Sequence, residues 1–419
     1  MKTKFKKYFI GIIISIISLI ILYLFCNLLY FQTHISKDNK LTIVRSPDSI
    51  VFRFGKLDSL KRYKGYYTKN WERDFVHYDP SNLDIRNSLE ELLHSDFDSK
   101  TNWPHTLPVG FNPDSIMEIG KNPGLNIRKL HKEGITGKGI GIAIIDQNLL
   151  VDHCEYKDQL RMYEEIHIPK SETNSALHGP AVASIAVGKS VGVAPDADLY
   201  YISTSNWSLF SAIYFRFFKE NKFLTSKWFV KSIYRILEIN KALPQKNKIR
   251  VISISWQIHT KEFLEAVEDA DKQGVFVISC SVSQTHNFRF NGLGKDCLDN
   301  PDDINSYHPG SWWSDSFYKN PNEYKIDSTL MVPMDFRCIA SQSGINSYAL
   351  YSDGGWSWSV PYIAGLYALA CQVKPSITPK EFWNKALTTG DIIEIEKNHK
   401  RYRFGKIVNP VKLMGILKK

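Results

Sequence analysis

The chain has 419 residues, 43% of them hydrophobic and 23% charged, with a formal net charge of +10. These proportions exclude a disordered or collagen-like chain, and no low-complexity tract or internal repeat is evident. Four of the positive charges are Lys2, Lys4, Lys6 and Lys7, and residues 1–31 hold no acid, which leaves +6 on the rest. So modest an excess over a large body requires no nucleic-acid partner.

Those lysines precede an uncharged run of 23 residues, Phe9 to Phe31. A helix needs about 20 such residues to span a bilayer. Lysines on the near side favour a cytoplasmic N-terminus. The bulky run Asn27-Leu-Leu-Tyr-Phe-Gln-Thr33 offers no small-x-small cleavage site. The expectation is a basic tail over 1–8 and an uncleaved single-pass anchor over 9–31 in the cell membrane, with the remainder extracytoplasmic. Cys26 is read as a membrane-embedded thiol.

Residues 32–114 are polar and mixed, with Pro47, Pro80, Pro104 and Pro108. Val51–Phe54 and Phe75–Tyr78 suggest short strands, and Arg86–His94 a short helix. One reading of this stretch is a stalk. From residue 139 the pattern becomes α/β. Ile140–Ile145, Leu199–Ser203, Val251–Ser255 and Val275–Cys280 are short apolar runs of the buried, parallel-sheet kind. Ser226–Ala242 and Lys261–Lys272 carry apolar residues at helical spacing, and 356–372 reads as a long helix with Pro361 inside it. Strands alternating with helices predict an α/β fold of three layers, a mostly parallel central sheet covered on both faces, preceded by the one transmembrane helix. The main domain is set at 115–390, with a C-terminal extension over 391–419.

Five cysteines lie beyond the apolar run: Cys154, Cys280, Cys297, Cys338 and Cys371. Cys280 and Cys371 fall in apolar elements and read as buried small hydrophobes. The sequence leaves open whether Cys297 and Cys338 pair. There is no CxxC or His/Cys cluster, so no metal site is predicted.

Three segments carry chemistry. Gly139-Ile-Gly-Ile-Ala-Ile-Ile-Asp146 is an apolar strand ending in a carboxylate. His178-Gly-Pro-Ala-Val-Ala-Ser-Ile-Ala-Val-Gly188 puts a histidine at the head of a small-residue helix. Gly354-Gly355-Trp-Ser357-Trp-Ser-Val-Pro361 puts a serine at a helix start. Alone, each is equally a turn residue, a helix start or an N-cap. Together they supply a nucleophile, a base titrating near neutral pH and a carboxylate to orient it. Free N–H groups at the serine's helix start also favour a developing oxyanion.

The order Asp146, His178, Ser357 and the surrounding motifs resemble the subtilisin-like serine peptidases over about residues 115–390. His178-Gly-Pro-Ala-Val182-Ala183 is similar to that family's His-Gly-Thr-x-Val-Ala. Gly192 to Pro195 reads Gly-Val-Ala-Pro, which often follows it. Gly355-Trp-Ser357-Trp-Ser-Val-Pro361-Tyr-Ile-Ala-Gly365 is similar to Gly-Thr-Ser-Met-Ala-x-Pro-His-Val-Ala-Gly, and the helix proline belongs to that pattern. Gly134-Ile-Thr-Gly-Lys-Gly139 matches the approach to the first catalytic strand.

The chain also departs from the family. Gln147-Asn148 replaces Thr-Gly after the aspartate, and His153-Cys-Glu155 replaces His-Pro-Glu. Ser255, Trp256 and Gln257 stand where the family's substrate-pairing strand reads Ser-Leu-Gly, so they are implied to bind substrate. Ser283 stands where the family has its oxyanion asparagine, with His286 or Asn287 as substitutes. The resemblance also allows 32–114 to be a folding propeptide.

The implied function is a membrane-anchored serine endopeptidase acting on a peptide or protein through an acyl-enzyme. It requires no cofactor; structural calcium is left open, though no contiguous oxygen-ligand loop is evident. A degenerate fold that binds peptides without cutting them is the alternative. An α/β-hydrolase is disfavoured, because that fold orders its triad differently and needs Gly-x-Ser-x-Gly, whereas Ser359 holds the second glycine position.

Overall fold

The computed structural model describes residues 30–63, 73–205 and 226–419, with positions 13, 17 and 18. The predicted anchor therefore lies outside the described residues, except at positions 13, 17 and 18 and at its end. Phe31, the last residue of the predicted anchor, opens a strand. Among the described residues no helix is long and apolar enough to cross a membrane.

The N-terminal part contributes β1 (Phe31–His34), β2 (Gly55–Lys56), β3 (Tyr78–Asp79), helix α1 (Leu89–Leu93) and β4 (Phe97–Asp98). Helices α2 (Pro113–Lys121) and α3 (Ile127–Lys132) lead to β5 (Gly141–Asp146), β6 (Leu160–Pro169), α4 (His178–Val187) and β7 (Asp198–Thr204). Then come α5 (Lys227–Ala242), β8 (Ile249–Ile254), α6 (Lys261–Lys272), β9 (Phe276–Ser279), α7 (Val282–Thr285) and β10 (Phe290–Gly294). β11 (His308–Pro309), α8 (Ser314–Lys319), β12 (Leu330–Pro333), β13 (Arg337–Ala340) and β14 (Tyr348–Tyr351) precede the long helix α9 (Trp356–Val373). The chain ends with α10 (Pro379–Thr389), β15 (Asp391–Lys397), β16 (Lys400–Ile407) and α11 (Pro410–Leu417).

The main sheet runs β1-β6-β7-β5-β8-β9. β6 to β9 are parallel, and β1 is an antiparallel edge strand. Successive side chains of a strand point to opposite faces, which explains why β5 is apolar throughout. Ile142 and Ile144 join the core under α4 and α9. Ala143 and Ile145 join the core under α5 and α6. The three predicted layers follow. Helix α4 is built of small residues, and Gly365 of α9 has no room for a Cβ: one would lie 2.7 Å from Val193 Cβ and 3.1 Å from Ala186 O. This close approach brings the two helices that begin with His178 and Trp356 to one side of the sheet.

The residues flanking the main domain are packed into the body. β15 and β16 extend a second sheet, β11-β10-β12-β16-β15, and Phe404, Ile407, Leu413 and Met414 are buried in the main core. On the N-terminal side β4 pairs with β14, and Phe75, Leu92 and Phe97 share a core with Phe336, Cys338 and Leu350. Cys154, Cys280, Cys297, Cys338 and Cys371 are all free thiols in the structure, so Cys297 and Cys338 are unpaired.

Candidate active site

Asp146 is the last residue of β5, the strand at which the chain switches direction across the sheet, and it is fully buried. Its Oδ1 accepts from His178 Nδ1 at 2.7 Å and from the Gln147 amide at 2.8 Å. The loop that follows is fixed from several sides. The Tyr201 hydroxyl donates to Gln147 O. Ser203 Oγ donates to Asn148 Oδ1 at 2.6 Å, and Asn148 Nδ2 donates to Glu172 O and Asn174 O.

Gly179 explains the His-Gly pair. A Cβ there would lie 2.6 Å from Gln147 O and 2.8 Å from Asn148 O, so only glycine lets α4 begin this close to the aspartate loop. Burial alone pulls the His178 pKa down and is the largest single influence. The charge of Asp146 and the hydrogen bond to it act the other way and together prevail, so the pKa lies above its ordinary value.

Ser357 is the second residue of α9. It follows Gly355, whose φ of 61° and ψ of 175° suit glycine alone. Pro361 lies four residues on and has no N–H to give to the Ser357 carbonyl. Ser255 Oγ donates to that carbonyl at 3.0 Å instead. The Ser357 hydroxyl in turn donates to Ser255 O at 3.3 Å. Among the described residues no hydrogen bond joins Ser357 to His178. The two are neighbours through Trp358, which is buried with its ring centroid 5.5 Å from that of His178. Trp358 thus forms the floor under the histidine, and Trp356, 38% exposed, faces the opening.

Beside Trp356 lies an open groove of about 300 Å³. Gln257, Cys280, Ser283, Arg289 and Asn291 are among its lining residues. Burial pushes the Cys280 thiol up to about 12, so it stays protonated at neutral pH and does not compete as a nucleophile. Of the three residues implied to bind substrate, Gln257 lines the groove. Ser255 is buried and committed to Ser357, and Trp256 packs against Phe229 with ring centroids 5.9 Å apart.

The oxyanion candidates separate similarly. Ser283 is exposed on α7 and donates to Gln284 Oε1 at 2.8 Å. His286 pairs with Asp271 at 2.9 Å, and Asn287 lines a different cavity, with Asp271, Phe288 and Trp383. Sequence reasoning missed Asn291. Its Oδ1 accepts from Trp356 Nε1 at 3.1 Å. An indole N–H only donates, so this bond fixes the carboxamide with its oxygen toward Trp356 and its NH₂ elsewhere. No motif signals Asn291; only β10 passing beside Trp356 reveals it. His153 and Glu155 are structural. His153 Nε2 bonds Ser347 O at 2.9 Å, and the Glu155 carboxylate accepts from Ser190 N, Ser190 Oγ and the Tyr348 hydroxyl.

Residues 137–314 match the model of the subtilase family, peptidase S8. The matched stretch holds Asp146 and His178 and stops before Ser357. Subtilisin-like protease 2 of Arthroderma otae is 27% identical over 237 residues, 56% of this chain and 50% of that protein. Subtilisin-like protease PopC of Myxococcus xanthus is 34% identical over 83 residues, 17% of this chain and 18% of that protein. The chain thus spans half the length of the first relative and under a fifth of the second. Among solved structures, the prenylagaramide maturation protease PagA is 14% identical at a TM-score of 0.46, covering 70% of this chain and 98% of that one. A cold adapted subtilisin-like serine proteinase is 15% identical at a TM-score of 0.40, covering 61% and 83%. The matched stretch, in which an acid and a histidine are bonded at the end of a central parallel strand, is thus similar to the subtilase family.

Proposed function

We propose that this chain is a serine endopeptidase that cleaves peptide bonds with Asp146, His178 and Ser357. The observation that carries the reading is the 2.7 Å hydrogen bond from His178 Nδ1 to the buried carboxylate of Asp146. It fixes the tautomer whose Nε2 has a free lone pair. In the reaction the Ser357 hydroxyl leaves its bond to Ser255 O and gives its proton to Nε2 as Oγ attacks the substrate carbonyl. The carbon–nitrogen bond then breaks, the amine leaves with the proton from Nε2, and an acyl-serine remains. Water attacks that ester with Nε2 again taking the proton; the bond from the acyl carbon to Oγ then breaks, Nε2 returns the proton to Oγ, and the acid product departs. The helix start at α9 favours the oxyanion in both steps. Covalent labelling of the purified chain by a fluorophosphonate tests this reading. The resting bond from Ser357 to Ser255 O favours the second reading, a peptide-binding relative that does not cut, and absence of label would select it.

The oxyanion donor is open to a kinetic comparison. Ser283 Oγ is engaged with Gln284, whereas the Asn291 carboxamide is held by Trp356, the neighbour of Ser357. Asn291→Ala is expected to lower kcat by roughly 10²-fold with KM nearly unchanged, the cost of losing one such donor. Ser283→Ala is expected to change kcat by less than about threefold, within the scatter of a lost surface contact. The reverse pattern would return the role to Ser283.

The reading includes the membrane. Four lysines and the run from Phe9 support a span that ends just before β1. Full-length protein is expected to stay in the membrane fraction after alkaline and high-salt washing, with protease added to intact cells digesting the domain. A soluble product starting soon after residue 31 would instead mean a cleaved signal peptide.

A further inference from the structure

The segment before residue 110 reaches the turn that precedes Ser357. β4 pairs with β14 in the registers Asp98↔Ala349 and Phe97↔Leu350. The strand β14 ends one residue before Ser352, where the turn to the nucleophile begins. At that point the carboxylate of Asp96 accepts two hydrogen bonds on Oδ1, from Ser352 N at 2.7 Å and from Ser352 Oγ at 2.7 Å. Asp96 is 6% exposed. The other side of the turn is held by Asp335, which accepts from Gly354 N at 3.1 Å. The turn Ser352–Gly355 therefore hangs between two buried carboxylates, and one of them comes from the N-terminal segment.

That segment is stitched down elsewhere too. Val44 N donates to Tyr163 O, and Tyr163 N donates to Thr42 O. Ser175 N, three residues before His178, donates to Asp48 O at 2.8 Å. Arg45 pairs with buried Glu165 at 2.6 Å. β1 adds an edge to the main sheet. Yet among the described residues none of those lining the groove beside Trp356 comes from positions before 110. A segment that blocked the site and was then discarded would fill the groove. The described residues of this one leave it open and hold the turn before Ser357.

We infer that the N-terminal segment, through its described residues 31–63 and 73–110, is a permanent part of the catalytic unit, and that Asp96 is a positioning residue for the turn that presents Ser357. The second half rests on the reading of Ser357 as nucleophile. A carboxylate with two bonds to one residue fixes both the amide plane and the side chain of Ser352, and so the path of the chain into Gly355.

The test compares Asp96→Asn with Leu92→Ala in the full chain. Leu92 is fully buried in the same segment, and its apolar side chain gives the turn no hydrogen bond, so its truncation reports loosening of the segment without loss of the Asp96–Ser352 bonds. Two readouts are taken for each: hydrogen exchange of the peptide covering 352–357, and kcat and KM per folded molecule. Asp96→Asn is expected to speed exchange in that peptide at least tenfold and to lower kcat at least tenfold, with KM within twofold. Leu92→Ala is expected to lower the melting temperature and leave both unchanged. Unchanged turn exchange and kcat in Asp96→Asn would overturn the positioning role. An active mature protein whose N-terminus lies beyond residue 110 would overturn the permanence of the segment. If the wild type turns over no substrate, the nucleophile reading fails on its own, and the exchange data still decide whether Asp96 holds the turn.

Discussion

Ser357→Ala is expected to abolish fluorophosphonate labelling and to lower kcat by roughly 10⁶-fold, the scale at which the members of such a triad act as a unit. The physical reason is that neither Ser359 nor Cys280 is placed to replace the hydroxyl. Ser359, two residues on, is fully buried, with its hydroxyl at 3.4 Å from Pro333 O. The Cys280 thiol is held protonated by burial. The comparison should be made on protein of matched folded fraction, because the Ser357 backbone carbonyl, and with it the bond from Ser255, survives the substitution. Equal labelling of wild type and variant would remove Ser357 from the mechanism.

The second large effect is at Asp146. Asp146→Asn is expected to lower kcat by about 10⁴-fold, because an amide no longer holds the required imidazole tautomer. It should also move the pH profile. His178 works as a base only when neutral, so activity should rise with pH through the His178 pKa, which lies above the ordinary histidine value. Asp146 supplies the upward pull, and burial pulls down. With the carboxylate gone, burial is left unopposed, and the acidic limb of residual activity should shift to lower pH. A limb that stays in place would mean that another group sets it. The same linkage bears on stability. A histidine whose folded pKa is raised stabilises the fold below its unfolded pKa, and this contribution is lost as pH rises through the folded value.

Much of this was legible in the sequence because it depends on local pattern. Central strands buried on both faces read as apolar runs, and the structure places β5, β7, β8 and β9 within two residues of those runs. Helix α6 falls at Lys261–Lys272 as its spacing predicts. Asp146, His178 and Ser357 sit at or beside element ends, where chain order and flanking glycines mark them.

What escaped the sequence was decided by partners distant in the chain. β6 was not foreseen, because Leu160-Arg-Met-Tyr-Glu-Glu-Ile-His-Ile-Pro169 has neither an apolar run nor alternation. Its Glu164 and Glu165 are fully buried, which is tolerable only because Arg235 and Arg45 come from elsewhere to pair with them at 2.8 and 2.6 Å. The proline inside α9 is legible, but that Ser255 Oγ takes up the Ser357 carbonyl it orphans is not, because the two residues lie on separate elements. Asn291 has no signature at all, since a carboxamide becomes interesting only when an indole fixes which end faces the groove. The segment before residue 110 looked separable because it is polar and proline-broken. Its place is set by Asp96 meeting Ser352 across 256 positions of sequence, a hydrogen bond that no local pattern encodes.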